Sequence, residues 1–460
     1  MKLNNQGQIL ANAQTAGQGG NINIAAGTTL LEQGSTISTN AQGTATGGAL
    51  NLTSDRLFLS SAANLSVITG GSGKAGDLFV QARDIEITGV AYAEVPGFGL
   101  IPNPSYIAAG AFPDSSGEGG SITIMGDRIR ILDGGFISAG TASGIGKAGD
   151  VTVIASELLE VRGIGDFPAP LFSYLTNHPS RISATSLSDA SAGSVKVQAP
   201  SIVVADGGII EVNGSGAGGA GNLNLVGDRI SLINGASLQA QVAGGDQGNI
   251  TIGSNLLLSR NGSTITTNAT GTASGGNIAI NSPIIIGLEN SDIIANAVAG
   301  NGGNIQITTQ GIFGLKFRDQ LTPESDITAS SEFGVSGTVQ INNFGVDPNS
   351  GLVELPANVT DPSQQIAAGC TDTSGSSFVA TGRGGVPQNP NQQVMSARTW
   401  SDIRDISAYR NTEPVQVQSP DTFVQATSWR RNTQGKIELV ADSSSRNRQL
   451  LLTCAAAPKS

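Results

Sequence analysis

One short block governs what this chain can fold into: a small residue and a glycine, a turn-forming residue, then an apolar–any–apolar step. It occurs as GGNINI (19–24), GGALNL (47–52), AGDLFV (75–80), GGSITI (119–124), AGDVTV (148–153), AGSVKV (192–197), AGNLNL (220–225), QGNITI (247–252), GGNIAI (275–280), GGNIQI (302–307) and SGTVQI (336–341). The steps between blocks are 28, 28, 44, 29, 44, 28, 27, 28, 27 and 34 residues. Seven of the ten lie within one residue of 28, and self-similarity at a fixed period of this size is the signature of stacked repeats.

The undisturbed unit 248–275 shows what is being stacked. Asn249–Ile252 alternates polar and apolar as a half-buried strand does. Leu256–Leu258 is a second short apolar run, Asn261-Gly262 a turn dipeptide, and Ser263–Thr267 a third, β-branched run. No helical periodicity occurs in the unit. Three short strands and three turns in one period make a β-solenoid rung. A single rung has too little apolar surface to fold alone, whereas stacking places matched Ile, Leu and Val in continuous interior columns. Eleven rungs at the β-strand spacing of ~4.8 Å predict a rod roughly 50 Å long. Asn222, Asn249, Asn277 and Asn304 fall at one position in four successive rungs, the arrangement in which stacked amides hydrogen-bond along a rod.

The two 44-residue steps place insertions of about 16 residues within 89–117 and 163–180, and a smaller one, 311–325, widens a late rung. The first two hold Tyr92, Tyr106 and Tyr174 and the single histidine, His178, expected as an exposed loop residue. They sit two rungs apart, so if both leave the same corner they lie together on one face. Such loops pack against the side of the rod or form a contact surface. The opening Gln6–Ala13 has the layout of Asn261–Asn268, so the chain begins partway through a rung. More rungs, and any export signal, are expected upstream.

Composition shifts near residue 345: 7 of the 63 glycines lie beyond it, but 8 of the 18 prolines and both cysteines and tryptophans do. The expected organisation is a parallel β-helix over 1–345, an extended Pro-punctuated linker over 346–395 and a C-terminal module over 396–460. In that module Thr422–Arg431 and Lys436–Ala441 flank Asn432–Gly435 as a hairpin. The module caps the rod or stands apart. Cys370 and Cys454 are either a disulfide, which would suit an oxidising compartment, or two free thiols.

Catalytic and metal signatures are scarce. One histidine does not support a Ser-His-Asp triad, and no HExxH, CxxC or P-loop pattern is present. A net charge of −11 disfavours nucleic acid and anionic membranes as partners. Asp55-Arg56, Asp127-Arg128 and Asp228-Arg229 recur at one rung position, which points to surface ion pairs. Glu94, Asp114, Glu118, Glu157, Glu160 and Asp166 are the acids a β-helix polysaccharide lyase or hydrolase would draw on, and no spacing singles out a pair. The expectation is no enzyme, no cofactor and no metal.

The rung GGNIAI…LLLSRNGSTITTNATGTASGGN and the tail segments GLVELPANVTDPSQQIAAGC (351–370) and SSFVATGRGGVPQNP (376–390) resemble filamentous-haemagglutinin-type exoproteins. The likeness is greatest to the large cyanobacterial exoproteins of two-partner secretion. That resemblance implies an all-β, right-handed parallel β-helix with an adhesive or structural role. It also implies export through an outer-membrane transporter of the Omp85 type, an extracellular or cell-surface location, and surface glycans or neighbouring cells as partners. The signal peptide and N-terminal secretion domain of the family pattern do not occur in this sequence.

Overall fold

The computed structural model describes residues 1–95, 99–112, 115–141, 145–165, 178–245, 248–343 and 428–440. Met1–Leu352 and Val353–Ser460 are separate compact units. Every described regular element is a strand, and in the first unit they form a parallel β-solenoid of about ten turns.

The two apolar runs that open a rung join in most turns into one long bent strand. Examples are Leu50–Ser60, Leu78–Thr88, Ile122–Leu132, Val151–Arg162, Leu223–Ile233 and Ile250–Arg260. Elsewhere the run splits, as at Val195–Gln198 and Ser201–Ala205, where Pro200 removes a ladder donor. These strands stack in register as one parallel sheet. The short third strand of each rung builds a second sheet, running Gln8–Leu10, Thr36–Ser38, Asn64–Ser66, Tyr106–Ala108, Phe136–Ser138 and onward to Asp326–Thr328. A chain of single bridges from Ala13 through Ala41, Thr69 and Ala111 to Ser331 marks a third line of contact.

Register converts the sequence period into core columns. Leu50, Leu78, Ile122, Val151, Val195, Leu223, Ile250, Ile278 and Ile305 lie directly over one another. All are essentially inaccessible to solvent. The second sheet adds Ile37, Leu65, Ile107, Ile137, Ile182, Ile210, Leu238, Ile265, Ile293 and Ile327 from its middle positions. One contiguous apolar cluster therefore runs the length of the unit. Burying one such Ile or Leu is worth about 1.5–3 kcal/mol, so the stack holds through many equal contributions.

The glycine of each block serves close approach and not a positive φ. A methyl group on Gly276 would overlap the carbonyl oxygen of Gly248 one rung below. Gly48, Gly76, Gly120, Gly149, Gly193, Gly221, Gly303 and Gly337 meet the preceding rung's glycine in the same way. Positive φ belongs instead to the corner before the short strand. Two successive residues are left-handed there: Gln33/Gly34, Asp133/Gly134, Asp206/Gly207, Asn234/Gly235 and Asn261/Gly262, which is why Asn-Gly and Asp-Gly sit there. A small residue follows, and its hydroxyl, where present, closes the turn: Ser263 Oγ donates to the Arg260 carbonyl at 2.7 Å.

In the second unit, Ser428–Arg431 pairs antiparallel with Ile437–Val440. The Asn432 side chain accepts from the Gln434 and Lys436 amides, both at 3.0 Å, and Gly435 takes φ +80°. This hairpin is the described part of the C-terminal module; residues 346–395, Cys370 and Cys454 lie outside the described residues.

Candidate binding surface

All three insertions leave the solenoid at the same corner. Where regular rungs place a left-handed pair, the first two insertion rungs place one left-handed glycine, Gly89 (φ 79°) and Gly163 (φ 87°), while the third turns off two residues earlier, at Gly314 (φ 82°) over Gly287. The first insertion is an antiparallel pair, Val90–Val95 with Gly99–Pro104, closed by the Ser105 amide donating to the Gly89 carbonyl at 3.0 Å. The second departs at Ile164–Gly165 and returns at His178–Pro179, closed by the Ser180 amide on the Gly163 carbonyl at 2.9 Å. The inserted residues thus fall between Gly89 and Ser105 and between Gly163 and Ser180. Tyr106 belongs to the regular short strand behind the first insertion.

The two hairpins meet over the intervening corner. A methyl group on Gly134 would lie 2.6 Å from Val90 Cγ2 and 2.9 Å from Gly165 Cα. One on Gly207 would lie 2.7 Å from Ile164 Cδ1. Bare glycine at Gly134 and Gly207 therefore admits both insertions against the rod. The third insertion turns back on its own rung, with Lys316–Phe317 pairing parallel to Asp326–Thr328 as the last strand of the second sheet. Leu315 is buried there, and Arg318 pairs with the buried Asp326 and with Glu324. Arg318 and the Thr322 amide hold the Asp326 carboxylate below its ordinary range against the opposing effect of burial.

Beside the two hairpins the short strands carry a stacked column. The Tyr106 and Phe136 rings are 5.0 Å apart and nearly parallel at 11°. The Arg181 guanidinium lies 5.0 Å from the Phe136 centroid on the next rung. The ring faces thus contact one another along the rod, a cation–π and stacking ladder that fixes the strands from which the hairpins emerge. Burial raises the Tyr106 hydroxyl above its usual range.

His178 departs from the sequence expectation of an exposed loop residue. It sits in a strand at the root of the second insertion, half-buried, and its Nδ1 makes no hydrogen bond. Burial, with Arg181 nearby, lowers its pKa from the usual histidine value. Glu211, two rungs' register from Ser138, moves the other way: burial raises its carboxyl, with Arg181 pulling it down. The Asn213 amide donates to Glu211 at 2.8 Å and to Gln239 at 3.2 Å.

Several of the remaining acids are engaged by neighbouring side chains, Glu160 within its own strand and the others between rungs. Arg128 reaches Asp84 at 2.8 Å and Glu157 at 3.7 Å; Arg162 holds Glu160 at 2.7 Å and Asp206 at 2.6 Å; Arg83 meets Asp55 at 3.2 Å. Asp127 and Asp228 accept instead from Ser156 and Asn255. Asp55, Asp127, Arg128 and Asp228 of the recurrent Asp-Arg dipeptides thus reach side chains of adjoining rungs and not their sequence neighbours. Glu118 is exposed, while Asp114, Asp166, Tyr174 and the Glu94 side chain lie outside the described residues. Among the described residues no three His, Cys, Asp or Glu side chains gather as a metal site, and no helix is long and apolar enough to cross a membrane.

The repeated asparagines form side-chain ladders on the solvent side. Asn249 Nδ2 donates to Asn222 Oδ1 at 3.0 Å, Asn277 Nδ2 to Asn249 Oδ1 at 3.1 Å, and Asn304 Nδ2 to Asn277 Oδ1 at 3.2 Å. The same oxygens accept the backbone N–H of the next rung, as with Asn277 N at 2.9 Å and Asn304 N at 3.0 Å. Two further columns went unread in the sequence. In one, Asn12, Asn40, Asn268 and Asn296 each accept a backbone N–H from the next rung. In the other, Asn261 donates to Asn234, and Asn234 to Asp206, both at 2.7 Å. Their signal was recurrence at the rung period, interrupted in the first column by Ile68, Gly110, Gly140 and Thr185.

Fold and surface together define a parallel β-solenoid whose insertions, among the described residues, leave from the bend between the long and the short strands. No family model, curated protein or solved structure matches the chain.

Proposed function

We propose that this chain is a secreted or surface-attached exoprotein of adhesive or structural role, binding through the flank that carries its insertions. The observation that carries the reading is the shared exit corner: two hairpins from different rungs lie side by side over Gly134. A regular scaffold otherwise spends its side chains on its own stacking. The resemblance of the rungs and the tail supports export by two-partner secretion through an Omp85-type transporter and display outside the cell, with surface glycans or neighbouring cells as partners. The acids available to a lyase or hydrolase favour binding over turnover, since Arg128 and Arg162 engage Glu157 and Glu160.

The test replaces 90–104 with a two-residue turn of the kind at Asp206-Gly207. The shortened chain should keep its β-sheet circular dichroism and lose most of its retention on intact cells, measured with a fluorescent label. Undiminished retention would remove the insertion flank from the binding surface. Turnover of polysaccharide that disappears in Glu157→Gln or Glu160→Gln would replace the binding reading with an enzymatic one.

A further inference from the structure

The outer side of the long sheet holds a groove that the function above leaves unused. It follows the bend of the long strands, about 800 Å³ between Ile154 and Pro283, and continues as about 310 Å³ back to Thr53. The two stretches share Ile154 and Ser156. Eight successive rungs contribute, which at ~4.8 Å per rung is a trough about 34 Å long, parallel to the stack.

Its two walls differ in chemistry. One is a single register column: Gln81, Met125, Ile154, Gln198, Val226, Gly253 and Asn281 lie each over the next. The amides of Gln81, Gln198 and Asn281 are exposed, and between them Met125 and Val226 are 36% and 45% exposed. The other wall carries Ser156 on Asp127 at 2.6 Å, Asn255 on Asp228 at 3.2 Å and Ser254 on Ser282 at 3.0 Å. At the bend itself the residues are small, with Gly126, Ala155, Ala199 and Gly227 opening the floor.

We infer that this groove binds a linear, uncharged polysaccharide laid along the rod. An extended pyranose chain presents both hydroxyls and C–H faces, and the wall offers an amide at every third rung (Gln81, Gln198, Asn281) with Met125, Ile154 and Val226 between them, at a rung spacing close to the rise of one sugar. Asp127 and Asp228 disfavour a polyanion by charge. The length of the trough suits an oligosaccharide of several residues, whose affinity accrues from many weak, partly wet contacts. This inference rests on the binding reading above, but at a face separate from the insertion corner.

The test uses the full chain and a graded series of cello-, xylo- and β-1,3-gluco-oligosaccharides, titrated by calorimetry. Affinity for at least one series should climb with length and level off near seven residues. Gly253→Leu places a side chain in the trough where no atom stands within 4 Å of the added Cβ. It should cost at least tenfold in affinity with an unchanged melting midpoint. Gln198→Ala, two rungs away on the same wall, should reduce affinity several-fold. No length dependence in any series, equal binding by Gly253→Leu, or preference for polygalacturonate or a cationic peptide would overturn the inference. Loss of soluble glycan binding in Gly253→Leu with cell retention intact separates this groove from the insertion flank, and the hairpin-shortened chain gives the converse.

Discussion

Alanine at three glycines separates two physical reasons for having no side chain from a position that has neither. At Gly276 the added methyl overlaps a backbone carbonyl of the rung below, which nothing but a shift of the stack can relieve, and the expected loss is about 3 kcal/mol. At Gly235 there is open space but φ is +72°, so the cost is the left-handed one, about 1–2 kcal/mol. Gly253 has neither constraint, and Gly253→Ala should be neutral or stabilise by about 0.4–1 kcal/mol through the unfolded chain. Urea unfolding of the three variants gives the ranking; equal losses at Gly276 and Gly253 would defeat the close-approach account. Charge acts at single residues too. Glu211 has its folded pKa raised by burial, so its ionised form weighs against the folded state at neutral pH. That cost is relieved as pH falls through the raised folded value toward the ordinary glutamate range of about 4.3. Glu211→Gln should therefore melt higher than the parent at pH 8, with the gap closing by about pH 4. His178 has the opposite sign: its folded pKa is lowered, so its contribution is full above about 6.5 and is lost as pH falls below that value. A Glu211→Gln gap that widens on acidification would contradict the burial argument.

At the scale of the element, the ladder and the corner contribute separately. Asn277→Ala removes the acceptor for the Asn304 amide N–H and one bond on each side of the column. Those groups are exposed and regain water, so the expected cost is about 1 kcal/mol. Asn261→Ala loses the Asn234 contact and must also hold φ 53° without an Asn side chain, and should cost more, about 2 kcal/mol in all. Reversal of that order in thermal melts would assign the ladder the larger role. The contrast also shows what a sequence can reveal about such elements. The rung, its apolar columns and the Asn-Gly corner were legible because period, alternation and turn chemistry are local and repeated. The long bent strand was not, since Leu256–Leu258 reads as a separate run and only tertiary register makes Ile250–Arg260 continuous. The placement of Tyr106 was masked by the irregular sequence preceding it. The shared exit corner was visible only conditionally: Gly89 and Gly163 mark it, but two glycines among 63 carry little weight without the φ values. The groove had no sequence signal, because each of its eight rungs contributes only two or three residues to it.

Across the whole solenoid, stability is the sum of nearest-neighbour terms, and a defect should spread only as far as those terms fail to contain it. Ile278 is 1% exposed and stacked between Ile250 and Ile305. Ile278→Asp places an unpaired carboxylate in the core column, at a cost above the 2–5 kcal/mol of a cavity substitution. Its rung and those on either side should open. Rungs distant from the defect keep every contact they had: Leu50–Ser60, Leu78–Thr88 and Ile122–Leu132 pair only with their own neighbours. Native-state hydrogen exchange is the measurement. In the variant, amides of 250–260, 278–287 and 305–309 should exchange orders of magnitude faster, while those of 50–60 and 122–132 hold their protection. Uniform loss of protection would mean that coupling between rungs exceeds the stability of the remaining stack. The solenoid would then unfold as one cooperative body, and the binding surfaces at the insertion corner and in the groove would fail together under a single core substitution.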